Sequence, residues 1–331
     1  MGADLLGLIE AAYRVDVPEN EWLAGITNAG NDLFDRGLGT AAYIYSLGGD
    51  AEPVITRLAL GGSFDPSWLA AFQDRIGEQP HLVDRPPVGW RSWMHMHAAM
   101  AASIPEMQPV AAAFDAFGGA KDVFAINGRD PQGFGVWVGV PQKKKGKITD
   151  EELELYKRVS AHLAAGYRIR RALGTKSSLE AAEAVLTPDG KIVHAVGEAR
   201  DDQARNALRR AALALDRARS SEVRKDAPGA TRIWRALVEG RWTLLDQFDS
   251  DGKRFVVAAK NDVAIKKPRP LSARERQVLA YGAMDHTNKE IAYALGLSAA
   301  TVRVLIARAS QKLGVRGRVD AIGRFRSLQA S

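Results

Sequence analysis

The sequence predicts an α+β chain that ends in an all-α four-helix unit. Three observations carry that expectation. In the first 263 residues, helical periodicity alternates with paired apolar runs split by turn formers. The segment AIKKPRP at 264–270 then interrupts regular structure, because its prolines remove backbone donors and fix φ. Beyond it, three helix-start signals fall within 27 residues, from Ser272 to Ser298. At 331 residues the chain fits two or three domains rather than one.

The N-terminal part, residues 1–173, opens with the spacing of an amphipathic helix over about 17–36, with Trp22, Ile26, Ala29 and Leu33 on one face. Thr40–Leu47 (TAAYIYSL) and Pro53–Leu60 (PVITRLAL) read as strands joined through Gly48-Gly49-Asp50. A helix over about 66–77 buries Trp68, Leu69, Phe72 and Ile76. Asp122–Ile126 and Phe134–Val140 form a second strand pair around the turn GRDPQG, and Glu151–Leu173 is a long closing helix. This order of elements resembles a GAF- or PAS-like sensory fold. The likeness is architectural, with no sequence motif behind it, and fold does not settle function. It implies a small-molecule or protein signal at the N-terminal region.

Within this part, VGWRSWMHMHAAM at 88–100 is dense in large polarizable side chains. Trp90, Trp93, His95 and His97 are the candidate ligand-binding residues, since pockets are mostly apolar with a few oriented polar groups. The plainer alternative is an ordinary core or interface segment. No second cluster of ligating residues lies nearby in sequence, so neither a metal nor another cofactor is expected. Lys143–Lys147 (KKKGK) reads as a solvated loop.

Residues 174–263 read as a smaller α+β module, PAS-like in its opening or serving as a relay or dimerisation element. Ala184–Ala195 (AVLTPDGKIVHA) holds two short apolar runs around Pro188-Asp189-Gly190, a hairpin signal. Helical material follows over about 198–223, and Trp242–Phe248 and Arg254–Ala259 flank the turn Asp249-Ser250-Asp251-Gly252.

The C-terminal part, 271–331, is the most legible. Ser272/Glu275 and Thr287/Glu290 each have capping-box spacing. Ser298 stands as the N-cap of a third helix, after a turn that Gly296 allows through positive φ. In that helix Val302, Ile306, Ala309 and Leu313 follow 3.6-residue periodicity and pack inward. Thr301, Arg303, Val304, Ala307, Arg308 and Gln311 remain outside, on a face able to enter a major groove.

The runs LSARERQVL, TNKEIAYALGLSAATVRV and QKLGVRGR resemble the DNA-binding domain of the LuxR/NarL superfamily, over about 60 of the 331 residues. The resemblance implies a LuxR-type helix-turn-helix in which Thr287, Lys289 and Lys312 hold the phosphate backbone while Arg303, Val304 and Ala307 face bases. Ser298, Thr301 and Arg308 complete the expected DNA-binding set. Two positions depart from the pattern. Leu305 stands where the family usually has histidine or another polar residue, and Ala307 cannot hydrogen-bond a base through its side chain, so direct readout rests mainly on Arg303. Ala321, Ile322, Phe325 and Leu328 form a stripe resembling the family's dimer surface, with packing inside the domain as the alternative.

Charge agrees with a double-stranded DNA partner. Residues 266–331 hold 13 basic and 4 acidic residues, giving +9, and the preceding 265 hold 33 and 35, giving −2; together these make the net +7. The chain has no cysteine, which excludes disulfides and thiolate chemistry. No apolar run approaches the ~18 residues of a membrane span, and the N-terminus lacks a secretory pattern, so no membrane partner and a cytoplasmic location are expected. No nucleophile–base arrangement or phosphate-binding glycine loop is present, so an enzyme is not expected. The acidic pair, Asp and Lys of a receiver domain are missing, and the Trp/Tyr/Asp pattern of acyl-homoserine-lactone receptors does not align onto residues 1–172. The expectation is a homodimeric one-component regulator in which an N-terminal sensor controls promoter binding. The alternative makes the N-terminal region a protein-interaction module without a small-molecule ligand.

Overall fold

A computed structural model describes residues 4–47, 53–76, 93–97, 113–146, 148–174, 176–248, 251–261, 263 and 271–330. They form two compact units. One comprises the residues up to Arg129 and Gly133–Ala164, the other Asp130–Gln132 and the chain from Ala165 onward.

The first unit is mixed helix and sheet. Helix α1 (Leu5–Ala12) starts on Asp4, whose carboxylate accepts the Gly7 N–H. Leu5, Leu6, Leu8, Ile9 and Ala12 are buried and recur at helical spacing, which leaves Gly7, Glu10 and Ala11 on the opposite, half-buried side. The indole of Trp22 on α2 (Glu19–Phe34) donates to the Ala12 carbonyl at 3.0 Å and joins the two helices. Strands β1 (Thr40–Leu47) and β2 (Pro53–Gly61), helix α3 (Ser67–Ile76), and strands β3 (Trp93–His97), β4 (Asp122–Arg129) and β5 (Phe134–Gln142) follow. The five strands form one antiparallel sheet in the order β2-β1-β5-β4-β3. Helix α2 packs closely on it at Gly30, where a Cβ would lie 2.9 Å from the Val138 side chain. Helix α4 (Asp150–Leu173) starts in this unit, where the Ser160 hydroxyl donates to the Asn127 carbonyl at 2.6 Å.

The elements expected at 17–36, 40–47, 53–60, 66–77, 122–126, 134–140 and 151–173 all form, with no end moved by more than three residues. Within the segment 88–100, Trp93–His97 form strand β3. Its register sets Trp93 opposite Ile126, His95 opposite Phe124 and His97 opposite Asp122. Trp90 lies outside the described residues.

The second unit starts with the end of α4, strands β6 (Ala182–Leu186) and β7 (Ile192–Ala195), and helices α5 (Asp202–Arg219) and α6 (Ala227–Ile233). Strands β8 (Trp242–Phe248) and β9 (Arg254–Lys260) complete an antiparallel sheet in the order β7-β6-β9-β8. Helices α7 (Ala273–Ala283), α8 (Asn288–Leu295), α9 (Ala299–Lys312) and α10 (Gly317–Ala330) close the chain. Asn261, just after β9, is a buried hub. Its amide donates to the Ala165 carbonyl at 3.0 Å and the Thr243 hydroxyl at 2.7 Å, and its oxygen accepts from Arg168 Nε at 3.1 Å. Among the described residues no single helix is long and apolar enough to cross a membrane.

Candidate nucleic-acid interface

Each start signal read from the sequence is made by the backbone. Ser272 accepts the Glu275 N–H while the Glu275 carboxylate accepts the Ser272 N–H at 2.7 Å. Thr287 and Glu290 form the same reciprocal pair on α8. The Ser298 hydroxyl accepts the Thr301 N–H at 3.0 Å and starts α9. Caps of this kind contribute about 1 kcal/mol each, so together they fix where the three helices begin. Between α8 and α9 the chain bends by 106°, inside the ~90–120° range of a helix-turn-helix. Gly296 makes that bend with φ +64°.

Helix α9 divides as its periodicity predicts. Val302, Ile306 and Ala309 are buried and Leu313 is half-buried, while Thr301, Arg303, Val304, Ala307, Arg308 and Gln311 are exposed. Leu305 is half-buried at the edge of the exposed face. Thr287 and Lys289, at the N-terminal end of α8, are exposed too. A groove of about 490 Å³ runs beside α9 between Arg303, Ala307 and Gln311 on one side and Asn288, Arg316 and Arg318 on others. Sequence reasoning missed Asn288, Arg316 and Arg318 as lining residues, although the run QKLGVRGR already marked the last two.

Two candidate groups serve the domain's own structure. The Lys312 ammonium bonds the Glu275 carboxylate at 2.8 Å. Burial alone would push Glu275 up, but the Lys312 and Ser272 bonds outweigh it and hold this carboxyl below the usual carboxylate range. The pair ties the end of α9 to the start of α7. Of the stripe expected at a dimer surface, Ala321 and Phe325 are fully buried inside the domain. Ile322 is half-buried against Gly282, and Leu328 is half-buried. The intradomain alternative thus accounts for Ala321 and Phe325, because α10 needs an apolar face to pack on α7 and α9. Among the described residues of this helix, Val319 is instead largely exposed, at 82 %.

The domain is seated on the preceding module through another surface. The Tyr293 hydroxyl lies 2.6 Å from the Thr231 carbonyl and 2.7 Å from that of Trp234. The Gln277 amide donates to the Gly240 and Val263 carbonyls, and Arg274 pairs with Glu239 at 3.6 Å. Gly296 rests on the backbone of Leu237. These contacts use α7 and the end of α8 and leave the outer face of α9 open.

The family model for bacterial regulatory proteins, luxR family, matches residues 269–325. The spore germination protein GerE of Bacillus subtilis is 50 % identical over 52 residues, which cover 16 % of this chain and 70 % of GerE. The chain belongs to the LuxR family of bacterial regulatory proteins. The HTH-type transcriptional activator RamA of Corynebacterium glutamicum is 41 % identical over 68 residues, 20 % of this chain. The chain thus spans about a quarter (24 %) of RamA's length. The crystal structure of Escherichia coli SdiA is 12 % identical, with 88 % of this chain and 84 % of SdiA covered, at a TM-score of 0.27. That score is too low to support any likeness of fold.

Proposed function

We propose that this chain is a one-component transcription regulator whose N-terminal part senses a signal and whose LuxR-type domain binds promoter DNA. The observation that carries the reading is the open outer face of α9 beside the exposed N-terminal end of α8. Arg303 reads a base edge in the major groove, with Arg308 as a further contact, while Val304 and Ala307 pack against base edges. Thr287 and Lys289 hold phosphate at the start of α8, where the backbone N–H groups and helix dipole favour an anion. Ser298, Thr301 and the remaining N–H groups of Lys312 supply further phosphate contacts. Two copies bind half-sites one helical turn apart, meeting through Ile322, Leu328 and Val319.

The first unit supplies the signal input. Its helix, strand hairpin, further strands and closing helix follow the order of a GAF- or PAS-like sensor, and Trp90, Trp93, His95 and His97 are the proposed ligand contacts there. Native mass spectrometry of the chain purified from its own host tests for a retained ligand; a chain free of any bound molecule favours control by a protein partner.

Arg303→Ala is expected to lower discrimination at one base position by about 1–3 kcal/mol, read by competition with single-base variants of the bound site. Unchanged affinity and unchanged preference together would show that the wrong face of α9 has been assigned. Lys289→Ala is expected to weaken binding to all sequences alike. It should also make the slope of log affinity against log salt shallower by about one unit. A base-specific loss would instead move Lys289 from the phosphates to a base edge.

A further inference from the structure

The second unit contains a cleft of about 260 Å³ that the reading above does not use. One wall is α5, through Ala207, Arg210, Ala211 and Leu215. The opposite wall is the segment Trp234–Glu239 that follows α6, and Gly296 of the helix-turn-helix touches its end. The floor is apolar, with Trp234, Leu237, Val238 and Leu244 all buried. Two guanidiniums, Arg210 and Arg235, stand at the exposed rim. Neither forms a hydrogen bond or ion pair among the described residues. The acid in the lining, Glu239, is already paired with Arg274. The free charge facing the cleft is therefore positive. Glu239 also holds a left-handed backbone, with φ +51°. It does so as the first central residue of the tight turn Val238–Arg241, with Gly240 left-handed beside it.

We propose that this cleft is an effector site for a small organic anion with a short apolar body. The apolar floor takes the body, and Arg210 and Arg235 bind the carboxylate by charge-assisted hydrogen bonds. The volume falls just below the ~300–1,000 Å³ of drug-sized pockets, which selects short acids over long acyl chains. The same wall that a ligand would touch also seats the LuxR-type domain. The Trp234 carbonyl is one of the two that face the Tyr293 hydroxyl, and the Leu237 carbonyl lies under Gly296. A ligand that shifts Trp234–Val238 therefore acts directly on the turn between α8 and α9. That output rests on the proposed function above, but binding to the cleft does not.

The test is isothermal titration of the full chain, without DNA, using hexanoate as the probe. Hexanoate is expected to bind saturably. Hexylamine, with the opposite charge, and inorganic phosphate, with charge but no apolar body, are expected to bind about tenfold more weakly or not at all. Exchanging both exposed arginines, Arg210→Gln with Arg235→Gln, should weaken hexanoate about tenfold. Ala211→Trp, which fills the cleft, should abolish binding. The proposal is overturned if hexanoate does not saturate, if hexylamine or phosphate binds as tightly, or if hexanoate affinity survives either set of substitutions. Because DNA is absent from the titration, failure here leaves the Arg303 test standing, and failure of the Arg303 test leaves this one standing.

Discussion

Gly296→Ala is expected to lower the stability of the second unit by about 3 kcal/mol or more. Two costs combine. A non-glycine residue in left-handed backbone costs roughly 1–2 kcal/mol, and Gly296 sits at φ +64°. A Cβ there would also meet the Leu237 carbonyl oxygen at 1.8 Å. No rotamer relieves that contact, because the opposing atom is backbone, so the α8–α9 turn must lift off the 237–238 segment. Lifting it puts the shared hydrogen bond of the Tyr293 hydroxyl at risk, worth about 1 kcal/mol net. The measurement is urea unfolding of the full chain, following the transition of the second unit. Gly296→Asn separates the two costs, since asparagine tolerates left-handed backbone better than alanine but carries the same Cβ. Asparagine should be about as harmful as alanine if the contact with Leu237 dominates. Wild-type stability in both variants would mean that the turn is not seated as described.

Asn261→Leu should destabilise the same unit by about 3–5 kcal/mol, the cost of stripping a partner from a buried charged group. Asn261 is 2 % exposed and Arg168 is 5 % exposed, so water does not readily replace the lost amide. Leucine removes the acceptor of Arg168 Nε at 3.1 Å and the donors to Ala165 and Thr243. What remains near the guanidinium is the Tyr281 hydroxyl, at 3.5 Å from Nη1. Asn261→Asp keeps an acceptor facing Arg168 and supplies an opposite charge, while losing the two donors. Its loss should be smaller than that of leucine. Thermal or urea unfolding of the three chains checks the order, and an equal loss in both variants would assign the effect to the donors rather than to Arg168.

The LuxR-type domain was legible almost to the residue because its signals are local. A capping box needs side chains three residues apart, and the inward stripe of α9 repeats every turn. Ser272, Thr287 and Ser298 therefore declare their helices without reference to the rest of the chain. Hairpins such as β4–β5 were legible for the same reason, since Asp130, Pro131 and Gly133 crowd one short turn. Where a segment has no two-sided pattern, reading stops. LLGLIEAA carries its buried residues on one face but spans little more than two turns, too short for the period to stand out, and WMHMH at 93–97 mixes aromatic, thioether and imidazole groups that fit a strand, a pocket wall or an interface. Helix α6 was hidden because Pro228 and Gly229, which usually punctuate loops, stand inside its first turn.

Local chemistry is also silent where a residue has two suitable partners. Lys312 fits a phosphate, but its ammonium bonds Glu275, 37 residues earlier. Ala321 and Phe325 fit a dimer stripe, but the domain's own core buries them. In both cases spacing defines which face a residue occupies, and only packing decides what covers that face.

Sequence alone established the LuxR-type domain, the outward set from Thr301 to Gln311 on its third helix, and the concentration of positive charge in the last fifth of the chain. The outward set and the charge follow from local spacing and composition, and the LuxR-type identity from the resemblance of its motifs to that family. The tertiary structure decided that the domain is seated on Thr231–Gly240 through Tyr293, Gln277 and Gly296, and that a cleft with two free arginines adjoins that seat. Those contacts join residues 37 to 62 positions apart. No local pattern encodes such pairings, because they arise from the simultaneous packing of helices and sheet whose individual signals are silent about their neighbours.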